Sequence, residues 1–195
     1  MQHLLLLHGA IGAKDQLEPL AAALQDDFVV HTLSFTGHGG NSIPDRAFSI
    51  ELFTLDVLGY MEINNIEQAN IFGYSMGGYV GFYLAKYHPE KILKLVTLAT
   101  KVDWDEAIAA KETKLLNAAV LEQKLPAFAA QLAERHAPQN WKMVLSKVCE
   151  MLINLGQKNT LMADDYATIN TSCLVMLGDR DKMVTLDETV AVYKQ

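Results

Sequence analysis

The sequence has little cysteine and no grouping of metal ligands. Among its 195 residues there are two cysteines, Cys149 and Cys173, with no Cys-x-x-Cys spacing and no Cys/His cluster that would indicate a metal site. Both cysteines lie in apolar stretches. We therefore expect buried free thiols in a reducing compartment rather than a disulfide.

The sequence also lacks a long run of basic residues and a long run of apolar ones. The net charge is −7 and no five consecutive residues are basic, which argues against nucleic acid as a partner. The apolar run Leu4–Leu7 is too short for a signal-peptide core or a membrane span, and no other stretch approaches the length of a membrane span. We expect a cytoplasmic protein with no membrane partner, and the sequence gives no indication of its oligomeric state.

Short apolar runs alternate with segments of helical periodicity. Each apolar run is continuous rather than alternating, which is typical of strands buried on both faces of a parallel sheet. The pattern predicts an α/β fold with a mostly parallel, doubly wound sheet flanked by helices. The predicted strands are 3–9, 28–33, 69–73, 91–99 and 171–178, and the predicted helices between them are 15–25, 49–64 and 76–88.

The rhythm changes between residues 101 and 165, where almost every residue favours a helix and no strand signal occurs. The sheet pattern returns after this segment. We therefore expect one sheet-containing core formed by 1–100 and 166–195, and a helical cap or lid insertion over 101–165. We also expect part of the core to be missing at the C-terminal side.

A serine lies between glycines in Gly73-Tyr74-Ser75-Met76-Gly77, which fits the pattern Gly-x-Ser-x-Gly. The bare pattern is common by chance, but here a strand leads into it and a helix leads out. That setting is the one a nucleophile elbow requires, because a sharp turn exposes the serine hydroxyl and needs neighbours without side chains. The alternative is a structural Gly-Ser turn.

A second motif, His8-Gly9-Ala10, follows the first strand. A hydrolytic serine needs two N–H donors for a developing oxyanion, and these are expected from Met76 and from the loop at the same sheet edge. The N–H of Ala10 is our candidate for the second donor. His8 could alternatively be the catalytic base, although a histidine before a glycine turn more often bonds the loop backbone.

A third motif, Gly178-Asp179-Arg180-Asp181, follows the last predicted strand. It lies at the carboxyl end of that strand, where doubly wound sheets place their sites. A triad needs one carboxylate to orient its histidine. The alternative is a solvated charged turn.

The sequence resembles the α/β-hydrolase superfamily, because four segments match motifs of that family and occur in the same order along the chain. They are HGA, SFTGHGGNS, GYSMGG and LGDRDKMV. The resemblance implies Ser75 as nucleophile, Asp181 as triad acid, and Ala10 and Met76 as oxyanion-hole residues. It implies that Asp179 is a helper in its turn. It also implies that 101–165 is a cap that shapes substrate choice.

The family order is Ser, then Asp, then His, yet no histidine follows Asp181 in this sequence. Three explanations compete. The sequence could be part of a longer enzyme whose histidine lies beyond residue 195, a cap residue such as His136 could supply the base, or the protein could be a non-catalytic relative.

The resemblance implies a serine hydrolase that acts through an acyl-enzyme on a small carboxylic ester, thioester or related acyl substrate. No metal or organic cofactor is implied. The alternatives are a lyase on the same scaffold, similar to hydroxynitrile lyases or to the menaquinone-pathway SHCHC synthases, or a protein that only binds a small molecule. The SHCHC-synthase branch typically carries Arg directly after GYSMGG, where this sequence has Tyr79.

Overall fold

The computed structural model describes residues 1–195 and contains one parallel sheet of five strands. The strand order across the sheet is β2-β1-β3-β4-β5, so the chain begins near the middle and winds outward in both directions. This confirms the predicted α/β class with its parallel sheet. The strands are β1 (Gln2–Leu7), β2 (Phe28–Thr32), β3 (Ala69–Tyr74), β4 (Ile92–Leu98) and β5 (Ser172–Met176).

Nine α-helices accompany the sheet, and two short 3-10 turns occur at Lys14–Leu17 and Pro89–Lys91. Three helices follow the early strands as predicted, and five lie between β4 and β5. The helices are α1 (Glu18–Leu24), α2 (Ile50–Ile63), α3 (Met76–Tyr87), α4 (Glu106–Leu115), α5 (Ala118–Lys124), α6 (Pro126–His136), α7 (Trp141–Gln157), α8 (Ala163–Tyr166) and α9 (Leu186–Tyr193).

The leucines of β1 form the centre of the molecule. Leu4–Leu7 are at most 7% exposed because β1 has a strand on each side and helices on both faces. The largest apolar cluster contains 31 buried residues and takes members from the sheet, such as Leu5, and from the helices after β4, such as Val148. The predicted helical segment is therefore packed directly on the sheet core. Its description as a separate cap remains a prediction.

The last strand differs from the others. The side chains of β5 are largely exposed, with Leu174 56% and Met176 42% accessible. The prediction of two buried cysteines is wrong in this respect, since Cys173 is exposed and Cys149 is only half-buried, although both are free thiols. Cys173 is exposed because of its position on β5, which is an edge strand and pairs only with β4.

None of the helices is both long enough and apolar enough to cross a lipid bilayer.

A buried ion pair joins the last helix to the exit of β4. Lys101 Nζ lies 2.9 Å from Glu188 Oε2, and both side chains are 8% exposed. The other oxygen of Glu188 accepts hydrogen bonds from the backbone N–H groups of Val102 (2.7 Å) and Asp103 (2.8 Å). One carboxylate on α9 thus fixes the start of the chain segment that leads into α4.

We predict that Glu188→Ala lowers the free energy of unfolding by about 3–5 kcal/mol, because it leaves a buried ammonium and two backbone donors without an acceptor. Urea unfolding would measure the loss. The neighbouring exposed Asp187→Ala is the control, with an expected change below about 1 kcal/mol. Equal losses in the two variants would contradict the role given to Glu188.

Candidate active site

Ser75 occupies a strained turn between β3 and α3. Its φ is 52° and its ψ is −118°, a region that residues with a side chain rarely adopt. The surrounding backbone holds it there: Ser75 N–H donates to Leu98 O at 2.8 Å, and Ser75 O accepts from Gly78 N–H at 2.9 Å and from Thr100 Oγ1 at 3.1 Å. The turn is therefore fixed from both sides, as the predicted elbow requires.

Glycines make the close approach of α3 to the sheet possible. A Cβ added at Gly73 would overlap the backbone of Gly77 and Gly78, and one at Gly78 would overlap Thr100 Oγ1. A Cβ at Gly77 would overlap the carbonyl of Leu7, at the end of β1. The N-terminus of α3 consequently lies directly against the carboxyl ends of β1 and β3.

The same packing brings the loop after β1 beside Ser75. A Cβ built on Gly9 would lie 3.5 Å from Ser75 Cβ. The N–H of the next residue, Ala10, donates no hydrogen bond within the protein, and Met76 N–H, at the first position of α3, has no intrahelical acceptor. The structure thus brings together three predicted site residues: Ser75, Ala10 and Met76.

Side chains fix the peptide groups on either side of Gly9. The carbonyl of Gly9 accepts from His8 Nδ1 at 2.8 Å and from Gly12 N–H at 2.9 Å, while Gly9 N–H donates to Gln16 Oε1 at 2.9 Å. The carbonyl of Ala10 accepts from His38 Nε2 at 2.7 Å. Because a trans peptide is planar, holding the Gly9 carbonyl also sets the direction of the Ala10 N–H.

The predicted acid lies in a turn after β5. Asp181 Oδ1 accepts hydrogen bonds from Met183 N–H and Val184 N–H, both at 2.8 Å. Met183 also contributes to the wall of the cavity that contains Ser75, whereas Asp181 itself does not. Asp179 pairs only loosely with Arg180 at 3.8 Å, and both side chains are at least 90% exposed.

A cavity of about 390 Å³ opens onto Ser75. Fourteen of its twenty lining residues are hydrophobic, so it suits a largely apolar ligand. Gly9, Ala10 and Met76 line it on the sheet side. Residues from the segment after β4 line the other side, namely Lys101, Trp104, Glu112, Leu115, Leu116, Phe128, Arg135, Met151, Leu152 and Leu155.

No histidine lines this cavity. His8, considered above as a base, is fully buried, and its Nε2 accepts from Phe35 N–H while Nδ1 donates to Gly9. His136 accepts from Gly39 N–H through Nδ1 at 3.1 Å and donates to Ile11 O through Nε2 at 3.3 Å. Both ring nitrogens of both histidines therefore bond to backbone groups, and neither ring is directed at Ser75.

Burial keeps these two histidines neutral. Desolvation, reinforced by the neighbouring His38, lowers the pKa of His8 well below its usual value and that of His136 to about 4. The neutral form is also the one that their hydrogen bonds need, since each ring accepts one backbone N–H. These histidines hold loops rather than exchange protons at neutral pH.

Tyr79, at the position that distinguishes the lyase branch, points its ring into the cavity wall. Burial raises its pKa to about 12, and its hydroxyl accepts from Leu161 N–H at 3.0 Å.

Several residues near the site carry no sequence signal of their own. Gln16, Lys101, Glu112 and Arg135 are polar residues in helical or loop stretches, and only the fold brings them to the cavity.

No group of three or more His, Cys, Asp or Glu side chains among residues 1–195 is arranged to hold a metal ion.

Comparison with known protein families identifies the family of this chain. The model of the alpha/beta hydrolase fold family matches residues 2–168, which include the turn at Ser75 and the loop at Gly9. The chain belongs to the α/β-hydrolase family. The segment predicted as a cap, 101–165, falls entirely within the match.

Among curated proteins, this α/β-hydrolase is similar to 3-oxoadipate enol-lactonase 2 of Acinetobacter baylyi, with 32% identity over 114 residues. That match covers 58% of this chain and 42% of the relative. It is also similar to the pimeloyl-[acyl-carrier protein] methyl ester esterase of Vibrio cholerae, with 33% identity over 99 residues, 51% of this chain and 37% of the relative. This chain thus matches less than half the length of each of the two relatives.

Among solved structures, the α/β-hydrolase resembles the enol-lactonase of Burkholderia xenovorans LB400, with a TM-score of 0.78 and 22% identity. The superposition covers 99% of this chain and 78% of the other. A thermophilic esterase of Thermogutta terrifontis gives a TM-score of 0.75 at 20% identity, covering 100% and 77%. At these identities the likeness shows the fold.

The close packing around Gly73 yields a prediction about stability. Gly73→Ala should lower the free energy of unfolding by about 2 kcal/mol or more, because its methyl group meets backbone that cannot move aside. Gly59→Ala on α2 is the matched control. No atom lies within 4 Å of a Cβ at Gly59, so this helical substitution should stabilise by about 0.5–1 kcal/mol. Urea unfolding measures both, and a neutral Gly73→Ala would contradict the account.

The neutral histidines yield a further prediction. Between its usual pKa near 6.5 and about 4, His136 binds a proton in the unfolded chain but not in the folded one, and the lowered pKa of His8 acts in the same direction, so stability falls as pH falls. The slope approaches about 1.4 kcal/mol per pH unit for each such histidine. His136→Asn keeps an acceptor but cannot titrate, so its slope between pH about 7 and about 5 should be shallower. Urea unfolding at several pH values measures these slopes, and identical slopes of unfolding free energy against pH in parent and variant would contradict the burial of a neutral His136.

Proposed function

We propose that this α/β-hydrolase chain carries the active site of a serine hydrolase that cleaves a small carboxylic ester, thioester or related acyl compound. The observation that carries the proposal is the strained Ser75 turn, which faces an apolar cavity and lies beside two N–H groups not engaged elsewhere. The curated relatives named as an enol-lactonase and a methyl ester esterase support the same class of reaction.

In the proposed mechanism, Ser75 Oγ attacks the acyl carbonyl carbon and the carbonyl oxygen becomes an oxyanion. The N–H groups of Ala10 and Met76 donate to that oxygen. The positive end of the α3 dipole lies at the same place and favours the developing negative charge. A general base takes the Ser75 Oγ proton during the attack and returns it to the leaving group as the intermediate collapses. This releases the alcohol or thiol and leaves an acyl-enzyme on Ser75, which water then hydrolyses.

His8, Gln16 and His38 serve this step indirectly. They hold the Gly9 and Ala10 peptides in place before substrate arrives, so the oxyanion donor needs no reorganisation during the reaction. We regard them as positioning residues. A donor fixed in this way is worth more than a mobile one, because no free energy is spent on ordering it in the transition state.

The general base is proposed to be a histidine outside residues 1–195, oriented by Asp181. Two observations support this assignment: no histidine lines the cavity, and Asp181 lies in a loop whose neighbour Met183 reaches the cavity wall. The backbone N–H groups of Met183 and Val184 hold one oxygen of Asp181. The second oxygen makes no hydrogen bond within the protein and is available to a histidine N–H.

Labelling with a fluorophosphonate probe tests the proposal. The polypeptide of the complete reading frame should react at Ser75, because the probe mimics the tetrahedral intermediate at an activated serine. Ser75→Ala should abolish labelling and Ser172→Ala, at an exposed serine on β5, should leave it unchanged. The 195-residue chain alone should label at least about 1,000-fold more slowly, as expected without a base.

Labelling that persists in Ser75→Ala, or none in the complete polypeptide, would overturn the hydrolase assignment. Equal rates for the complete polypeptide and the 195-residue chain would instead overturn only the assignment of an external histidine.

A further inference from the structure

One carboxylate in the wall of the Ser75 cavity has no adequate partner. Glu112 lies on α4 with its side chain turned inward, and the residue is 8% exposed. Its oxygens accept no hydrogen bond from the protein. The nearest cation, Lys111 Nζ, is 3.4 Å from Oε1, but its side chain is 67% exposed. A solvated lysine of this kind compensates a neighbouring charge only weakly.

The other charged side chains of the cavity wall are paired. Lys101 Nζ is 2.9 Å from Glu188 Oε2 in a buried ion pair. Arg135 Nε donates to both carboxylate oxygens of Asp15, at 2.9 and 3.2 Å. Glu112 is therefore the least compensated charge facing the cavity.

A carboxylate that has no hydrogen bond and only a solvated lysine nearby is poorly compensated in an apolar cavity wall. Leu115, Leu116 and Met151 line the same cavity as Glu112, and fourteen of the twenty lining residues are hydrophobic. A ligand that brings a positive charge to this position would remove the deficit. A ligand that brings a carboxylate would increase it.

We propose that Glu112 is a specificity-determining residue that selects acyl substrates carrying a cationic ammonium group and disfavours anionic ones. The proposal rests on the proposed function only in that it takes the Ser75 cavity as the substrate site. It concerns binding, which requires neither a base nor turnover, so it can fail or succeed independently of the labelling experiment.

The test uses three probes of nearly the same shape: choline, its uncharged isostere 3,3-dimethylbutan-1-ol, and the anion 3,3-dimethylbutanoate. Trp104 lines the cavity, so quenching of tryptophan fluorescence reports their binding. Choline should bind about tenfold more tightly than the neutral alcohol, and the anion should bind least. In Glu112→Gln the preference for choline should fall to near parity.

Controls separate charge recognition from folding. Glu106→Gln removes an exposed carboxylate from the same helix and should keep the tenfold preference. Urea unfolding of Glu112→Gln should show stability at least equal to that of the parent, because a buried uncompensated charge is gone. Glu112→Asp is a second variant that retains the charge and should retain part of the preference.

Equal affinities for choline and the alcohol in the parent, or no saturable choline binding, would overturn the proposal. So would an undiminished preference in folded Glu112→Gln. Tighter binding of the anion would also overturn it and would assign selection to Arg135 instead.

Discussion

The local structure of the site depends on one constraint, the left-handed backbone of Ser75. A non-glycine residue in such a conformation typically costs about 1–3 kcal/mol and persists only where its surroundings determine it fully. Here the bond from Ser75 N–H to Leu98 O ties the turn to β4, and the absence of side chains at Gly73, Gly77 and Gly78 lets α3 settle onto the strand ends. The position of Ser75 Oγ is therefore a consequence of sheet packing.

The loop after β1 is the second half of this arrangement. It is short and carries its own polar network, so its peptide groups do not depend on substrate for their orientation. His8 and His38 are buried side by side, with ring centroids 5.2 Å apart. Each ring donates a hydrogen bond to a backbone carbonyl of this loop, His8 to Gly9 and His38 to Ala10. These histidines thus serve as scaffold for the loop, and the rings of His8 and His136 are not directed at Ser75.

Much of this was predictable from sequence because it is local. Four apolar residues at Leu4–Leu7 identify a doubly covered central strand, and a glycine-flanked serine between strand and helix identifies the turn at Ser75. The helical segment after β4 was predictable from its composition. Which residues of that segment would face Ser75 was not, since this depends on how α4 and α7 pair with each other.

Contacts between distant residues leave no comparable signal. Lys101 and Glu188 are 87 positions apart, and Arg135 and Asp15 are 120 apart. Each of these four looks like an ordinary surface charge in sequence. The exposure of Cys173 was missed for a related reason, because an apolar strand sequence shows a tendency to be covered but not whether a neighbour is present to cover it.

The two sides of the cavity differ in their polar and charged groups. On the sheet side, the polar groups beside Ser75 are the backbone N–H groups of Ala10 and Met76, and the neutral His8 lies behind them and holds the Gly9 carbonyl. On the helical side, Lys101 and Arg135 each have a carboxylate partner at 2.9 Å, whereas Glu112 has only the exposed Lys111 at 3.4 Å. The least compensated charge thus lies on the helical side of the cavity, across from the N–H groups beside Ser75, and the proposed preference for cationic substrates rests on that separation.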